Sequence, residues 1–213
     1  MLVEAVRGGN LAEIQEALTA GARLNTPQGS TALMIALGDN LPVQHPGIVE
    51  LLLEHGADIN LPDRRGKTSL LLALETVGDA KLLQAILARG GDVRAVGREG
   101  QSAVCAAAQR GDIVLAERLL EMGAPPDVPT NRGMTALMAL AAGLEWDAYR
   151  EDECVRLAQK LIASGADPRR VDSLGKSAAD LAFERGNLEL LALIDVDGKY
   201  ATRTAGGVIK RGA

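Results

Sequence analysis

Five glycines recur along the chain at a nearly constant interval, and this repetition restricts the folds that the chain can adopt. They lie in similar short segments, of which EHGADIN (54–60) is the clearest, and they are Gly21, Gly56, Gly90, Gly123 and Gly165. The successive intervals are 35, 34, 33 and 42 residues. A chain with this period is expected to fold as stacked repeats, because each repeat buries its apolar face only against its neighbours.

A second anchor precedes each later repeat and indicates how one repeat is built. The anchors are GSTAL (29–33), GKTSL (66–70), GQSAV (100–104), GMTAL (133–137) and GKSAA (175–179). Their Thr or Ser predicts the N-cap of a short helix rich in Ala and Leu, since its hydroxyl can accept from free backbone N–H groups. A second helix with paired leucines follows, as in IVELLLEHG (48–56), and the repeat glycine after it suits a left-handed C-cap.

Composition agrees with packed helices and excludes several functional classes. The chain is 47% hydrophobic but only 2% aromatic, so its core consists of small aliphatic residues that suit closely stacked helices. A net charge of −5 gives no electrostatic footprint for nucleic acid. The sequence contains no run of about 18 apolar residues, so no membrane span is predicted.

The cellular location follows only from weak signals. The N-terminus MLVEAVRGGN shows no signal peptide, and the two cysteines, Cys105 and Cys154, form no disulfide framework. We therefore expect a cytoplasmic protein, with a periplasmic or secreted location left open if a signal peptide has been removed. The high Ala, Gly and Arg content suits a bacterial gene.

The combined pattern G-x-T-x-L…A…LL-x-x-G-A-D-x-N resembles the ankyrin repeat. The family's T-P-L-H-x-A appears as TALMIA, TSLLLA, SAVCAA, TALMAL and SAADLA, so the usual Pro and His are absent. The resemblance implies an all-α solenoid of stacked helix-turn-helix units with β-turn, hairpin-like fingers. About six repeats can be drawn, at 1–25, 26–60, 61–94, 95–129, 130–170 and 171–194.

The last segment, 195–213, lacks the periodicity of the repeats. It is interpreted as a flexible C-terminal tail. The alternative is that it packs back on the last repeat through Tyr200 and Val208.

The fifth repeat carries an insertion of unusual composition. From Thr135 to Gly165 there are 30 residues, against 21 from Ser102 to Gly123, and the extra residues fall in GLEWDAYREDE (143–153). In one interpretation Trp146 and Tyr149 are anchors for a partner, with the acidic residues complementing its charge. In the other, the segment forms a short helix or extends the second helix, and Trp146 covers leucines of a neighbouring repeat.

The resemblance also implies where a partner binds, because ankyrin proteins usually bind through the finger tips and the exposed face of the first helices. In the last repeat this surface comprises Ser173, Leu174 and Lys176. The candidate partner-binding residues of the other repeats are Arg64, Arg65, Lys67, Arg98, Gln101, Arg110, Arg132 and Met134. Arginine dominates this set and suits bidentate contacts with carboxylates. The alternative is a solvated face on which arginine stems cover the stack.

Nothing in the sequence predicts catalysis or a bound cofactor. Gly66-Lys67-Thr68 and Gly175-Lys176-Ser177 look like the end of a phosphate-binding loop, but Leu61 and Arg170 stand where that loop needs glycine. Only two histidines are present, too few and too scattered for a metal site with the cysteines. We therefore expect no enzyme activity, no metal and no cofactor.

These observations predict a monomeric, non-enzymatic protein-protein interaction module. It would bind a protein partner through its concave and finger face and the 143–153 insertion, as an inhibitor or an adaptor, with no nucleic-acid or membrane partner. Two alternatives stay open. One is a secreted effector or immunity-type protein that neutralises a specific enzyme, and the other is an enzyme accessory with a small-ligand site.

Overall fold

A computed structural model describes residues 2–26, 31–38, 46–76, 80–143 and 151–200. Across these ranges the chain forms helices joined by turns, and an isolated bridge joins Val171 and Ser177. The predicted all-α ankyrin-type fold is confirmed. The chain divides into two compact units, unit 1 (Met1–Arg98) and unit 2 (Glu99–Ala213).

Unit 1 contains helix pairs in which the first helices stack on one another. Helix α1 packs against α2 and α3, α3 against α4 and α5, and α5 against α6. The bounds are α1 Leu2–Gly8, α2 Leu11–Thr19, α3 Ala32–Ala36, α4 Pro46–Glu54, α5 Ser69–Thr76 and α6 Ala80–Ala88.

Unit 2 repeats this arrangement. Helix α7 packs against α8 and α9, and α9 against α10 and α11, while the second helices form their own row from α8 through α10 to α12. The bounds are α7 Ala103–Gln109, α8 Ile113–Glu121, α9 Ala136–Ala141, α10 Glu151–Ala163, α11 Ala178–Arg185 and α12 Leu188–Ile194.

The first helices are short, and several are buried on every side. All residues of α3 and α9 are buried, as are Ala103 to Ala108 of α7. The alanines among these residues let neighbouring helix backbones approach closely. Each fully buried leucine contributes about 1.5 to 3 kcal/mol to the stability of the fold. The second helices bury one face only, as in α8 through Ile113, Ala116, Leu119 and Leu120.

The two local signals that defined the repeat have the predicted structural roles. The hydroxyl oxygens of four N-cap residues each accept the backbone N–H three residues ahead, at 3.1 to 3.3 Å; these are Thr31, Ser102, Thr135 and Ser177. The five repeat glycines all have positive φ, from +79° to +106°. The predicted N-caps and left-handed C-caps are therefore confirmed at these positions.

Asparagine side chains link successive repeats of unit 1. Asn25 Oδ1 accepts the Asp58 N–H at 2.8 Å, and its Nδ2 donates to the Gly56 carbonyl at 3.1 Å. Asn60 makes the same two bonds with Asp92 and Gly90, at 2.8 and 3.0 Å. An amide is suited to this place because it satisfies one donor and one acceptor of the next repeat together.

The segment that follows α12 folds back on the last helix pair as far as Tyr200. The Tyr200 ring is 7% exposed and stacks on Phe183, with ring centroids 4.3 Å apart. Its hydroxyl and the Lys199 ammonium both donate to Asp180 Oδ1. Residues 195–200 therefore pack back on the last repeat, as the alternative to a flexible tail had it. Val208, the other residue named in that alternative, lies outside the described residues.

Candidate functional site

The fingers are the turns between helix pairs, and one polar side chain shapes each turn. In the finger 172–176, Asp172 Oδ1 accepts the N–H groups of Leu174 and Lys176 at 2.8 and 2.9 Å. In the preceding finger Thr130 Oγ1 accepts one such hydrogen bond, from the Met134 N–H at 3.1 Å. Asp and Thr favour such turns because their short side chains reach backbone N–H groups a few residues ahead.

The finger of unit 1 has the same construction. Asp63 Oδ1 accepts the N–H groups of Arg65 and Lys67 at 2.7 and 2.8 Å, and the Asp63 carbonyl accepts the Gly66 N–H at 3.0 Å. Asp63 and Asp172 were not among the candidate residues predicted from the sequence. Their signal was present as the recurring D-x-x-G-K, in which Asp begins a turn that ends on a positive-φ glycine.

A finger tip is defined here as the residue directly before the turn glycine. In unit 2 the tips are Glu99, Arg132 and Leu174, and they form a hydrogen-bonded row. The Asn131 N–H donates to the Glu99 carbonyl at 2.8 Å, and the Ser173 N–H donates to the Arg132 carbonyl at 2.8 Å. In unit 1 the Arg98 N–H donates to the carbonyl of the tip Arg65 at 2.9 Å.

The structure separates the candidate residues of unit 1 into two groups. Arg64 and Arg65 are exposed, and neither guanidinium has an ion-pair or hydrogen-bond partner among the described residues. Lys67 is different, because its ammonium is hydrogen-bonded to the Glu75 carboxylate. Arg98 is exposed but also makes a contact of its own.

The candidates of unit 2 divide in the same way. Arg132 is exposed, and its guanidinium has no partner within the described part of the chain. Gln101 Nε2 donates to Gln109 Oε1 at 2.8 Å, so its amide is engaged. Met134 is half-buried, and Arg110 is exposed with a contact of its own.

These pairs reveal a rule that the sequence analysis missed. In the described fingers, where the residue directly after the turn glycine is polar, its side chain bonds to the residue eight positions later, at the end of the first helix. Lys67 bonds to Glu75 in unit 1, while Gln101–Gln109 and Lys176–Glu184 follow the rule in unit 2. The cations at these positions are neutralised within the repeat, whereas the arginines at the tips are not.

The insertion is described only at its two ends, at Gly143 and at residues 151–153. Trp146 and Tyr149 lie outside the described residues, so their roles stay predictions. Helix α10 begins at Glu151 and has 13 residues, against nine in α2, α4, α6 and α8. The end of the inserted stretch therefore belongs to a lengthened second helix.

Two ion pairs join the second helices α8 and α10 of unit 2. Arg156 Nε lies 2.7 Å from Glu117 Oε1, and Lys160 Nζ lies 2.5 Å from Glu121 Oε1, so both pairs join α10 to α8. Such exposed pairs contribute little to stability, typically below about 1 kcal/mol.

Among the described residues, neither a reactive Cys105 thiol nor a metal-binding cluster is found. Both cysteines are buried, and burial raises the pKa of the Cys105 thiol to about 11, which keeps it protonated and unreactive at neutral pH. No cluster of His, Cys, Asp or Glu among the described residues could hold a metal ion. The described helices are also all too short or too polar to cross a lipid bilayer.

An open cavity of about 740 Å³ lies beside α1 and α2 in unit 1. Glutamates and small residues line it, and Glu4, one of these glutamates, is within 3.4 Å of Arg7. The described lining includes no histidine, cysteine or serine.

Comparison with known proteins agrees with this architecture. A family model for ankyrin repeats, in three copies, matches residues 2–94. A crystal structure of an ankyrin repeat domain from Acinetobacter baumannii AYE superposes with a TM-score of 0.72 and 26% identity, covering 92% of this chain and 97% of that one. A second ankyrin repeat protein of known structure gives a TM-score of 0.69 at 27% identity.

Two relatives differ in how much of their length this chain spans. The ankyrin repeat protein YahD of Escherichia coli (strain K12) is 30% identical over 200 residues, which are 91% of this chain and 94% of YahD. Human ankyrin repeat domain-containing protein 63 is 39% identical over 119 residues, so the chain matches only 31% of that protein.

The stacked helix pairs, the capped turns and the full-length similarity to YahD define the class of protein. The chain belongs to the ankyrin repeat family. Ankyrin repeats are generally protein-protein interaction modules, and the family is typically non-enzymatic.

Proposed function

We propose that this protein is a monomeric binding module that holds one protein partner through its finger tips, the neighbouring ends of the first helices and the 143–153 insertion. The single observation that supports this most is the set of exposed guanidinium groups at Arg64, Arg65 and Arg132, which lack partners in the described part of the chain. Arginines of this kind suit carboxylates of an acidic protein surface.

The protein acts as an inhibitor or an adaptor in this proposal, and its place of action is the cytoplasm. The general role of the family is binding. An inhibitor that occludes its partner, or an adaptor that bridges two partners, therefore needs no catalytic group. A secreted effector or immunity-type protein that neutralises an enzyme would use the same surface, and the identity of the recovered partner distinguishes these roles.

Charge reversal at the tips tests the proposal. A protein recovered with the tagged full chain is purified, and its dissociation constant is measured by calorimetry. We expect Arg132→Glu, and separately the pair Arg64→Glu with Arg65→Glu, to weaken binding by at least about 10-fold, since losing an ion pair and adding a like charge costs more than about 1.4 kcal/mol. Because these contacts are exposed, the wild-type affinity should also fall at high salt.

The matched control for this test is Arg118→Glu, which reverses an exposed charge on α8 away from the fingers. Its affinity and its thermal midpoint should both stay at the wild-type value. Equal weakening by the control, or an unchanged affinity after both finger variants, would contradict the assignment of the surface. Repeated failure to recover any saturable protein partner would contradict the proposed function itself.

The insertion is tested separately through Trp146, the only tryptophan in the chain. If Trp146 anchors the partner, Trp146→Ala weakens binding by at least about 10-fold, as is usual for an aromatic hot spot, and leaves the unfolding midpoint unchanged. The wild-type tryptophan emission should also shift to shorter wavelength when the partner is added. Lower stability with unchanged affinity would instead assign Trp146 to covering a neighbouring repeat.

A further inference from the structure

The three finger tips of unit 2 carry three different chemistries in a row. Glu99 is acidic, Arg132 is basic, and Leu174 is apolar. Leu174 is 78% exposed, far more than expected for a leucine that serves the core. Neither the Glu99 carboxylate nor the Arg132 guanidinium has a side-chain partner among the described residues.

Packing between the fingers holds this row in a defined geometry. The carbonyls of Glu99 and Arg132 each accept a hydrogen bond of 2.8 Å from the next finger. At the turn glycines the fingers touch through backbone, because a Cβ on Gly133 would lie 2.8 Å from the Asp172 Cα. Because these contacts fix the backbone of the tips, little backbone entropy is lost when a partner binds.

The side chains next to the tips do not compete for the same role. Gln101 and Lys176 are bonded to Gln109 and Glu184 at the ends of the first helices. At these two positions the polar side chain is therefore engaged within its repeat, whereas within the described part of the chain the side chains of the tips Glu99 and Arg132 are not. Their order along the row is acid, base and apolar, which is complementary to a partner with base, acid and apolar residues in that order.

We propose that unit 2 selects an extended segment of a protein partner by this order of side chains. The segment places a basic residue at Glu99, a carboxylate at Arg132 and an apolar side chain at Leu174. The acidic residue is central whichever way the segment runs, with the basic residue on one side and the apolar residue on the other. This inference rests on the proposed function and specifies the partner chemistry that its surface accepts.

The experiment uses random linear peptides displayed on phage, selected against the purified full chain. The wild type should enrich peptides with a central acidic residue between a basic and an apolar one. The double variant Glu99→Arg with Arg132→Glu should enrich peptides with a central basic residue between an acidic and an apolar one. Leu174→Ser should keep the charge order and lose the apolar preference.

Synthetic copies of the wild-type peptides provide the quantitative readout. Their affinity should fall by at least about 10-fold for the double variant, since two favourable charge contacts become repulsive. The matched control reverses two exposed charges on second helices, Arg118→Glu on α8 with Glu189→Arg on α12, and should leave both the enriched pattern and the affinity unchanged. Thermal melts of all variants verify folding.

Two results would overturn the inference. One is an enriched charge order that does not invert in the double variant, and the other is the absence of any peptide enriched above a chain-free control. Neither result decides whether the protein binds a folded partner, because recovery of a protein with the tagged chain measures that independently.

Discussion

Gly100→Ala is expected to lower the free energy of unfolding by about 3 to 5 kcal/mol, because it combines overpacking with backbone strain. A Cβ at this position would lie 2.5 Å from the Pro129 carbonyl oxygen and 2.7 Å from the Thr130 Cα. Both are backbone atoms of the next finger, so no flexible side chain can move away. The φ of +76° adds strain for any residue with a Cβ. Equilibrium unfolding in urea measures the change.

Gly175→Ala separates the two causes. Gly175 occupies the same place in the last finger, with a φ of +74°, but no described atom would lie within 4 Å of the new Cβ. Its substitution should therefore cost only the strain, about 1 to 2 kcal/mol. If the two variants lose equal stability, the close approach of neighbouring fingers is not what requires glycine at position 100.

Asp180→Ala is expected to destabilise the last helix pair by about 2 to 4 kcal/mol, because hydrogen bonds to a charged group each contribute about 1.5 to 3 kcal/mol. Asp180 Oδ2 accepts the N–H and the hydroxyl of Ser177 at 2.9 and 2.7 Å, forming a capping box. Its Oδ1 accepts from Lys199 and Tyr200. Amide hydrogen exchange in α11 and α12 measures the effect locally, which matters because terminal repeats can unfold separately.

Tyr200→Phe is the matched control, since it keeps the ring stacked on Phe183 and removes only the hydroxyl that donates to Asp180. It should cost about 1 kcal/mol, the usual value for one net hydrogen bond. Loss of protection as large as in Asp180→Ala would mean that the C-terminal segment, and not the capping box, holds the helix pair together.

The pH dependence of the Asp180 effect follows from its surroundings. Burial alone would raise the pKa of this carboxyl, but hydrogen bonds from Lys199, Tyr200 and Ser177 outweigh it and hold the pKa well below its usual value. The resulting stability is fully present above the pKa of an unfolded aspartate, about 3.9, and is lost as the pH falls through the lower folded pKa. The difference between wild type and Asp180→Ala should thus be constant near neutrality and shrink below about pH 4. A difference unchanged by acid would contradict the role of the charged carboxylate.

Local signals predicted the repeat well because each one acts within a few residues. Ser102 and Thr135 cap helices that begin beside them, and Gly123 ends α8 with a left-handed turn. Such features depend on the backbone and on a single side chain, so spacing in the sequence is enough to recognise them. The stacking of the helices follows from the small, aliphatic composition of the first helices.

The candidate surface was harder to predict, because the availability of a charge depends on its neighbours in space. Lys67 and Arg65 are equally basic in the sequence, yet only Lys67 is neutralised, by a glutamate at the far end of the helix that follows the finger. Gln101 is likewise engaged by Gln109. The eight-residue spacing between the paired side chains is visible in the sequence. That the two side chains bond to each other follows only from the fold, which brings the turn close to the end of the helix.

By itself, the sequence determined the helix pairs, their capping residues and the glycines between them, since short-range backbone preferences and apolar periodicity act within one repeat. Only the tertiary structure decided which arginines stay unpaired among the described residues, how Tyr200 closes on Asp180 and which turn glycines touch the next finger. Those outcomes depend on distances between residues that lie far apart in the chain, and packing rather than local preference sets such distances.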